Sequence, residues 1–466
     1  MNEKLNDALQ EISDAHVAEA SAPKKRRNLY WLGAIAAVLA VVLVIHAFTG
    51  PMLIQAEAMA LADDPRIATR PNADDYETGD EWRAALDAWQ QDIRQRQELT
   101  ASVLPQLSHF FTEGSAKFLS GSHGNLIWSP ANAYIGLAAL TEITGGNTRQ
   151  QILSLLGVQD LAALRSQVSA VWESVYTDNG NEICTLANSL WLDDTLDCHK
   201  EALTSLSHHY YASVYRGDLG SSTMNKAIGA WLNNNTGGLL RNAADNIRLP
   251  QDTLLVLYST LYFQSKWADE FNAAQNTDGI FHAPSGDREV TFMNREQAPM
   301  AYYWGDCFSA VSLGLKNGSR MWFILPDEGK TPEDVLTDGE YMETILTGTS
   351  NRKEMKVNLS VPKFDVSGTQ NLMGGLQQMG LTDLFDPFAA DFSSLTGNGI
   401  FLTAANQSVR VQIDEKGVKA AAYIEFPGAG MVAPPEEIID FVLDRPFLFV
   451  ITNDSVPLFA GTVKEP

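Results

Sequence analysis

Residues 414–446 read DEKGVKAAAYIEFPGAGMVAPPEEIIDFVLDRP, and this stretch decides the fold. It follows an alternating apolar run (Val409, Val411, Ile413) and precedes a second strand-like run, Phe447 to Thr452. The segment is too long for a tight turn, and loops beyond ~12–15 residues are uncommon and often functional. It opens on alternation rather than turn residues: Val418, Ala420, Ala422 and Ile424 share one face, and Lys419, Ala421, Tyr423 and Glu425 the other. The first face is small and apolar. Such a segment is able to join a sheet as a central strand, while its Gly and Ala content lets it stay exposed until then. A merely flexible linker of small residues is the competing reading.

Outward from this stretch, helical and strand patterns mix without a βαβ rhythm or an internal repeat, which indicates an α+β domain from about residue 100 to 466. The periodicities predict helices over Leu104–Leu119, Ala131–Ile143, Arg149–Leu156, Leu161–Val175 and Asn225–Asn234. Strands are expected at Leu254–Phe263, Met321–Leu325, Val357–Val361, Ser408–Ile413 and Phe447–Thr452.

The other end of the chain carries a different signal. Residues 29–48, LYWLGAIAAVLAVVLVIHAF, have no formal charge, and as a helix this run spans ~30 Å, the thickness of a bilayer core. Lys24, Lys25, Arg26 and Arg27 stand just before it and no such cluster follows, so residues 1–28 read as a cytoplasmic tail and 29–48 as a transmembrane anchor. A cleaved secretory signal ending at Ala56-Glu57-Ala58 is the alternative. Residues 49–99 read as a linker: 70–75 look extended and solvated, and Trp82, Leu86, Trp89 and Ile93 predict an amphipathic helix over 80–97 capped by Asp80.

Chemistry is mostly excluded. The chain has 466 residues, 45% hydrophobic and 19% charged, enough for a large core. Its formal charge of −24 repels phosphate backbones, so no nucleic-acid partner is expected. H-E-x-x-H, G-x-S-x-G, P-loop and G-x-G-x-x-G motifs are all missing, and a hydrolase reading has no motif to support it. Cys184, Cys198 and Cys307 are too few and too scattered for a zinc site. His208-His209 and Cys198-His199 are adjacent pairs whose side chains diverge, so no metal or cofactor is implied.

From about Leu104 onward the sequence resembles the serpin family in the family's own order. The matching blocks are Asn125-Leu126-Ile127-Trp128-Ser129-Pro130 with Gly146-Asn147-Thr148 and Gln151-Ile152, then Trp231-Leu232 with Thr236-Gly237. Leu261-Tyr262-Phe263 with Lys266-Trp267, Phe292-Met293, Leu325-Pro326-Asp327, Val361-Pro362-Lys363-Phe364 and Gly380-Leu381 with Phe385 continue the series. Ala390-Asp391-Phe392-Ser393, Asp444-Arg445-Pro446-Phe447 and Phe459-Ala460-Gly461 complete it. Each block is weak alone, and together they are specific.

The resemblance implies a serpin fold, with mixed β-sheets, surrounding helices and an exposed reactive-centre loop, preceded here by one transmembrane helix. Residues 414–446 are then the loop, with Glu415, Gly417, Val418, Ala420, Ala421 and Ala422 as the hinge of an inhibitory member. The expected protein is not an enzyme. It is a membrane-anchored, bacterial, extracytoplasmic suicide inhibitor of serine, or else cysteine, proteases, monomeric and without cofactor. The protease attacks the loop, forms an acyl-enzyme, and is carried off as the hinge inserts into a sheet. From Val418 to Met431 an extended strand covers ~46 Å, near the ~50 Å width of such a domain. Counting from the hinge places the attacked bond at Met431-Val432, after Met431, with Ala429 and Val432 as alternatives for that residue; counting back from Pro446 gives Pro435-Glu436. An apolar residue there suits elastase-like or subtilisin-like pockets and disfavours trypsin-like ones.

Several residues depart from the family pattern. The sheet-opening region is expected at Ser129, Asn132, Gly229, Gln407 and Trp267; Asn132 stands where a second Ser is common, Gly229 where Asn is, and Gln407 where His is. Asn132 and Gln407 have the groups to exchange amide hydrogen bonds. Pro427 lacks the donor of a central strand, so insertion either ends near Phe426 or passes it with a local break. That change supports a second reading, a non-inhibitory serpin-fold protein used for surface binding.

Overall fold

The computed structural model describes residues 57–60, 71–178, 182–347, 351–418, 437–453 and 455–466. The tail and anchor expected over 1–28 and 29–48 lie outside the described residues. Among those described, no helix is long and apolar enough to cross a membrane.

One sheet runs in the order β1 (Glu57–Ala60), β5 (Ala212–Arg216), β4 (Glu182–Leu192), β6 (Leu255–Lys266) and β14 (Gly417–Val418), with β3 (Thr177–Asp178) also paired to β4. A two-stranded ladder joins β12 (Phe364–Asn371) to β13 (Asn406–Ile413). The nine-stranded sheet takes β15 (Ile438–Val442), β11 (Arg352–Pro362), β8 (Gly286–Trp304), β9 (Phe308–Gly314) and β10 (Arg320–Pro326). It continues through β16 (Phe447–Asn453), β17 (Val456–Val463) and β2 (Leu126–Trp128), while β7 (Thr277–Ala283) pairs with β8. The runs FLFVITN and VPLFAGTV of β16 and β17 are apolar on both faces, and every residue of both strands is buried. Each of the five predicted strands is present and runs one to several residues beyond the prediction at one end or both, although β6 begins at Leu255 rather than Leu254.

Helices surround these sheets. The longest, α1 (Gly79–Phe118), corrects two expectations. The predicted helices over 80–97 and 104–119 are one, and Pro105 sits inside it on an exposed turn. The cap is Thr78 rather than Asp80: its hydroxyl accepts from the Glu81 N–H while the Glu81 carboxylate accepts from the Thr78 N–H. The stretch read as a linker with a helical segment also contributes a short strand. Glu57, Ala58 and Ala60 pair with Arg216, Tyr215 and Val214 on the edge of the first sheet. Residues 73–75 form a short 3₁₀ turn, and Trp82 Nε1 donates to the Pro71 carbonyl.

The helix that positions the site is α2 (Pro130–Ile143), started by the Ser129 cap and by Pro130, whose missing N–H costs nothing in the first turn. All but one of its residues are buried, so it is a core helix rather than an amphipathic surface one. Helices α3 (Gly146–Leu155), α4 (Leu161–Val175) and α5 (Lys200–Tyr210) follow. Glu142 of α2 is clasped by Arg165 of α4 and by Ser205 and Tyr210 of α5. Burial alone raises its pKa, but these donors outweigh it and hold the carboxyl below the usual range. Helix α6 (Ser222–Asn235) and the short α7 (Arg241–Asp245) pack together beside β6.

Candidate functional site: a cleft between two strands

The sequence after β13 turns back on itself. Asp414 and Gly417 exchange backbone hydrogen bonds (3.1 and 3.3 Å), and Asp414 Oδ1 accepts from the N–H groups of Lys416 and Gly417. Gly417 and Val418 then pair antiparallel with Lys266 and Ser265 of β6. Only glycine fits the first of these positions. Its φ is +146°, and a Cβ would lie 2.5 Å from both the Lys266 Cα and the Ser265 carbonyl oxygen. Val418 is 4% exposed, so the first apolar residue of the expected hinge is already inside.

Trp267, fully buried, holds this turn. Its Nε1 donates to the Asp414 carbonyl at 2.8 Å, its backbone N–H to the Lys416 carbonyl, and its ring meets Phe271 edge-on. Glu415 is fixed from the other side: its carboxylate accepts from Lys363 Nζ and from Asn276 Nδ2, each at 2.6 Å. The Lys363 ammonium, aided by Asn276, holds the Glu415 carboxyl below the usual carboxylate range. The expected opening residue Trp267 and the hinge residues Glu415, Gly417 and Val418 are thereby brought together.

A second polar cluster lies on the axis of α2. Gln407 of β13 accepts from the Ser129 N–H at 2.8 Å, and its Nε2 donates to the Ser129 carbonyl at 3.0 Å and to Asn132 Oδ1 at 3.1 Å. Asn132 Nδ2 donates in turn to Ser259 Oγ of β6 at 2.8 Å. One amide thus ties β13 to β6 from beneath. Neither amide titrates, so this latch stays uncharged through the range in which a histidine would switch. Of the expected exchange between Asn132 and Gln407 one bond is present, donated by Gln407, while the Asn132 amide N–H goes to Ser259 instead. Ser259 was not read from the sequence, because an isolated serine in a strand gives no signal. Gly229, by contrast, is not part of the cluster. It lies in α6, where a Cβ would fall 2.7 Å from the Ala244 carbonyl oxygen, so α7 packs against the space a larger residue would need.

Between these clusters, β6 and β13 face each other without a ladder. Among the described residues β6 pairs with β4 on one edge and only with Gly417 and Val418 on the other, while β13 pairs with β12 alone. The two strands wall a cleft of about 1010 Å³, closed at one end by Val418 and bordered at the other by residues 248–254 and 399–405. Residues 419–436, and with them Ala420, Ala421, Ala422, Met431 and Val432, lie outside the described residues.

Known proteins are similar to this chain in sequence and in fold. The chain is 28% identical over 372 residues to Serpin-ZX of Arabidopsis thaliana, covering 74% of this chain and 93% of that protein. It is 26% identical over 356 residues to the leukocyte elastase inhibitor of Homo sapiens, covering 74% and 93%. Among solved structures, the thermophilic serpin tengpin in its native state superposes with a TM-score of 0.71 at 21% identity, over 89% of this chain and all of that one. Human thyroxine-binding globulin in complex with thyroxine superposes at 0.67 with 22% identity, over 78% and 99%. Residues 109–466 match the family described as Serpin (serine protease inhibitor), and with the fold and the cleft as described the chain belongs to the serpin family.

Proposed function

We propose that this protein is a single-use inhibitor of serine proteases, the loop after Gly417 serving as bait and the cleft between β6 and β13 as the receptor for the cut loop. The observation that carries this reading is a pair of strand edges, unladdered among the described residues, flanking a cleft that Val418 has already entered. Unpaired backbone groups inside a sheet are costly, and a cut strand that supplies their partners gains bonds on both sides. The attacked protease, joined to the loop as an acyl-enzyme, moves with that strand before deacylation finishes. Met431 is the residue we assign to the protease pocket, with elastase-like or subtilisin-like enzymes as targets and a cysteine protease as a further class.

Residues 29–48, with Lys24 to Arg27 before them, support an anchor with the domain outside the membrane in this reading, which also takes the protein as a monomer. Fractionation of cells with and without residues 29–48 tests that part: the shortened chain leaves the membrane fraction, and retention there contradicts the anchor.

Incubating the full chain with elastase-like, subtilisin-like and trypsin-like proteases tests inhibition. An SDS-stable covalent complex with the first two classes is expected. Clean cleavage without complex points to the second reading, a non-inhibitory surface-binding protein, which Pro427 favours. The thyroxine-binding globulin structure shows that a protein of this fold holds a small molecule.

A further inference from the structure

The cleft changes character along its length. Ser129, Asn132, Ser259 and Gln407 give it a polar waist. Beyond that waist the lining turns apolar, with Leu255 and Leu257 of β6, Leu239 and Leu240 before α7, and Phe401 and Leu402 before β13. None of these six side chains is fully buried, and Phe401 is 41% exposed. Apolar residues scattered singly over a surface need no explanation, but gathered along one channel they mark a binding groove. We propose that this apolar end of the cleft binds the hydrocarbon tail of a long-chain carboxylate, with Arg248 holding the head group. The proposal goes beyond protease inhibition and concerns the uncut protein.

An alkyl chain fits here better than a peptide does. β13 begins only at Asn406, so the facing wall, residues 399–405, has no strand edge with which a peptide could pair. Side chains line this end instead. Among the described residues two hydrophobic cores are distinct, the smaller one gathering Trp191, Met224, Ile228 and Leu232 around α6. Leu255, Leu257 and Leu402 pack on the margin of the larger core, Ile247 and Leu249 on that of the smaller, and Leu239 and Leu240 belong to neither. A tail lying between the two margins gains contacts on both sides, and each methylene taken from water favours binding about fourfold. The whole cleft, about 1010 Å³, stands at the upper end of the ~300–1,000 Å³ of ligand pockets, so its apolar end suits a single chain.

The mouth supplies the head-group contact. Arg248 and Asp252 both line it. Arg248 is exposed, and its Nη1 donates to the carbonyls of Asp245 and Ile247; among the described residues no carboxylate pairs with it. A guanidinium steadied by main-chain carbonyls keeps its remaining N–H groups for a carboxylate, whose two oxygens match their fork. Asp252 on the same rim repels a second negative charge, which favours a monovalent carboxylate over a phosphate monoester.

Photolabelling tests the site. The full chain, expressed in intact cells, is labelled with a photoactivatable hexadecanoate and, separately, with the matching alcohol, and the labelled residues are mapped by mass spectrometry. Carboxylate label is expected on residues 239–257 and 399–402, and excess unlabelled hexadecanoate removes it. Leu240→Gln, outside both cores, keeps the parent's melting temperature and loses label from both probes. Arg248→Gln lowers carboxylate labelling about tenfold and leaves alcohol labelling unchanged. Label confined to other residues, or cleft label that Leu240→Gln does not diminish, overturns the site. Carboxylate labelling that survives Arg248→Gln, or an equal loss of both probes, overturns the head-group assignment. No protease takes part, so failure here leaves the inhibitory reading standing, and failure to trap a protease leaves this site untouched.

Discussion

Strands β16, which reads FLFVITN, and β6, which reads LVLYSTLYFQSK, stand in opposite circumstances. β16 pairs with β10 and β17 along both edges and buries all its residues. Among the described residues β6 pairs along one edge with β4, meets two residues on the other, and leaves most of its side chains half-buried. The difference teaches where stability is complete and where it is withheld. A net ~0.5–1.5 kcal/mol per ladder bond means that a strand closing the eight-residue edge of β13 gains roughly 4–12 kcal/mol from hydrogen bonds alone. In this account the nine-stranded sheet is the frame and the cleft is the store.

Truncation is the strongest way to break the contrast. Phe449→Ala in β16, where the ring is fully buried, is expected to cost ~3–5 kcal/mol in denaturant unfolding of both the uncut and the cut protein. Leu257→Ala, on the cleft wall, costs about 1 kcal/mol in the uncut form and more in the cut form, where an inserted strand covers it. Equal costs at the two sites would remove the distinction.

The latch gives a smaller effect of a different kind. Asn132→Ala leaves Ser259 Oγ without its amide donor and deprives Gln407 Nε2 of one of its two acceptors, at ~1–3 kcal/mol in the uncut form. The cut form, whose strands are already parted, loses less. A larger loss in the cut form contradicts a latch that holds the closed state.

Glu415 gives the smallest effect and a pH signature. Its folded pKa is depressed, so its ion pair with Lys363 adds stability above the unfolded value of ~4.3, which is lost as pH falls through the folded value. Wild type should therefore lose its advantage over Glu415→Gln on acidification below about pH 4, and the two melting curves should converge. A constant difference down to pH 3 would assign the stability to shape rather than charge.

Much of this was legible from residue order. The hinge was readable because its demands are local: Asp414 and Gly417 must turn the chain, and Trp267 must cap it. The strands were readable because a half-buried sheet imposes a period of two. Contacts set by tertiary packing were not. Ser259 joins the latch only because β6 passes over α2. Gly229 reads as a departure from the family until the approach of Ala244 explains it. The continuity of α1 was hidden because Pro105 resembles a helix start, and β1 because four residues on an edge carry no period.

The melting temperature of the loop-cleaved protein against that of the intact one tests the central claim most directly. Insertion beside β6 and β13 predicts that the severed molecule melts tens of degrees higher, at roughly 2–4 °C per kcal/mol for a domain somewhat smaller than this one. Coincident transitions would contradict it, leaving the cleft a binding groove with nothing held in reserve.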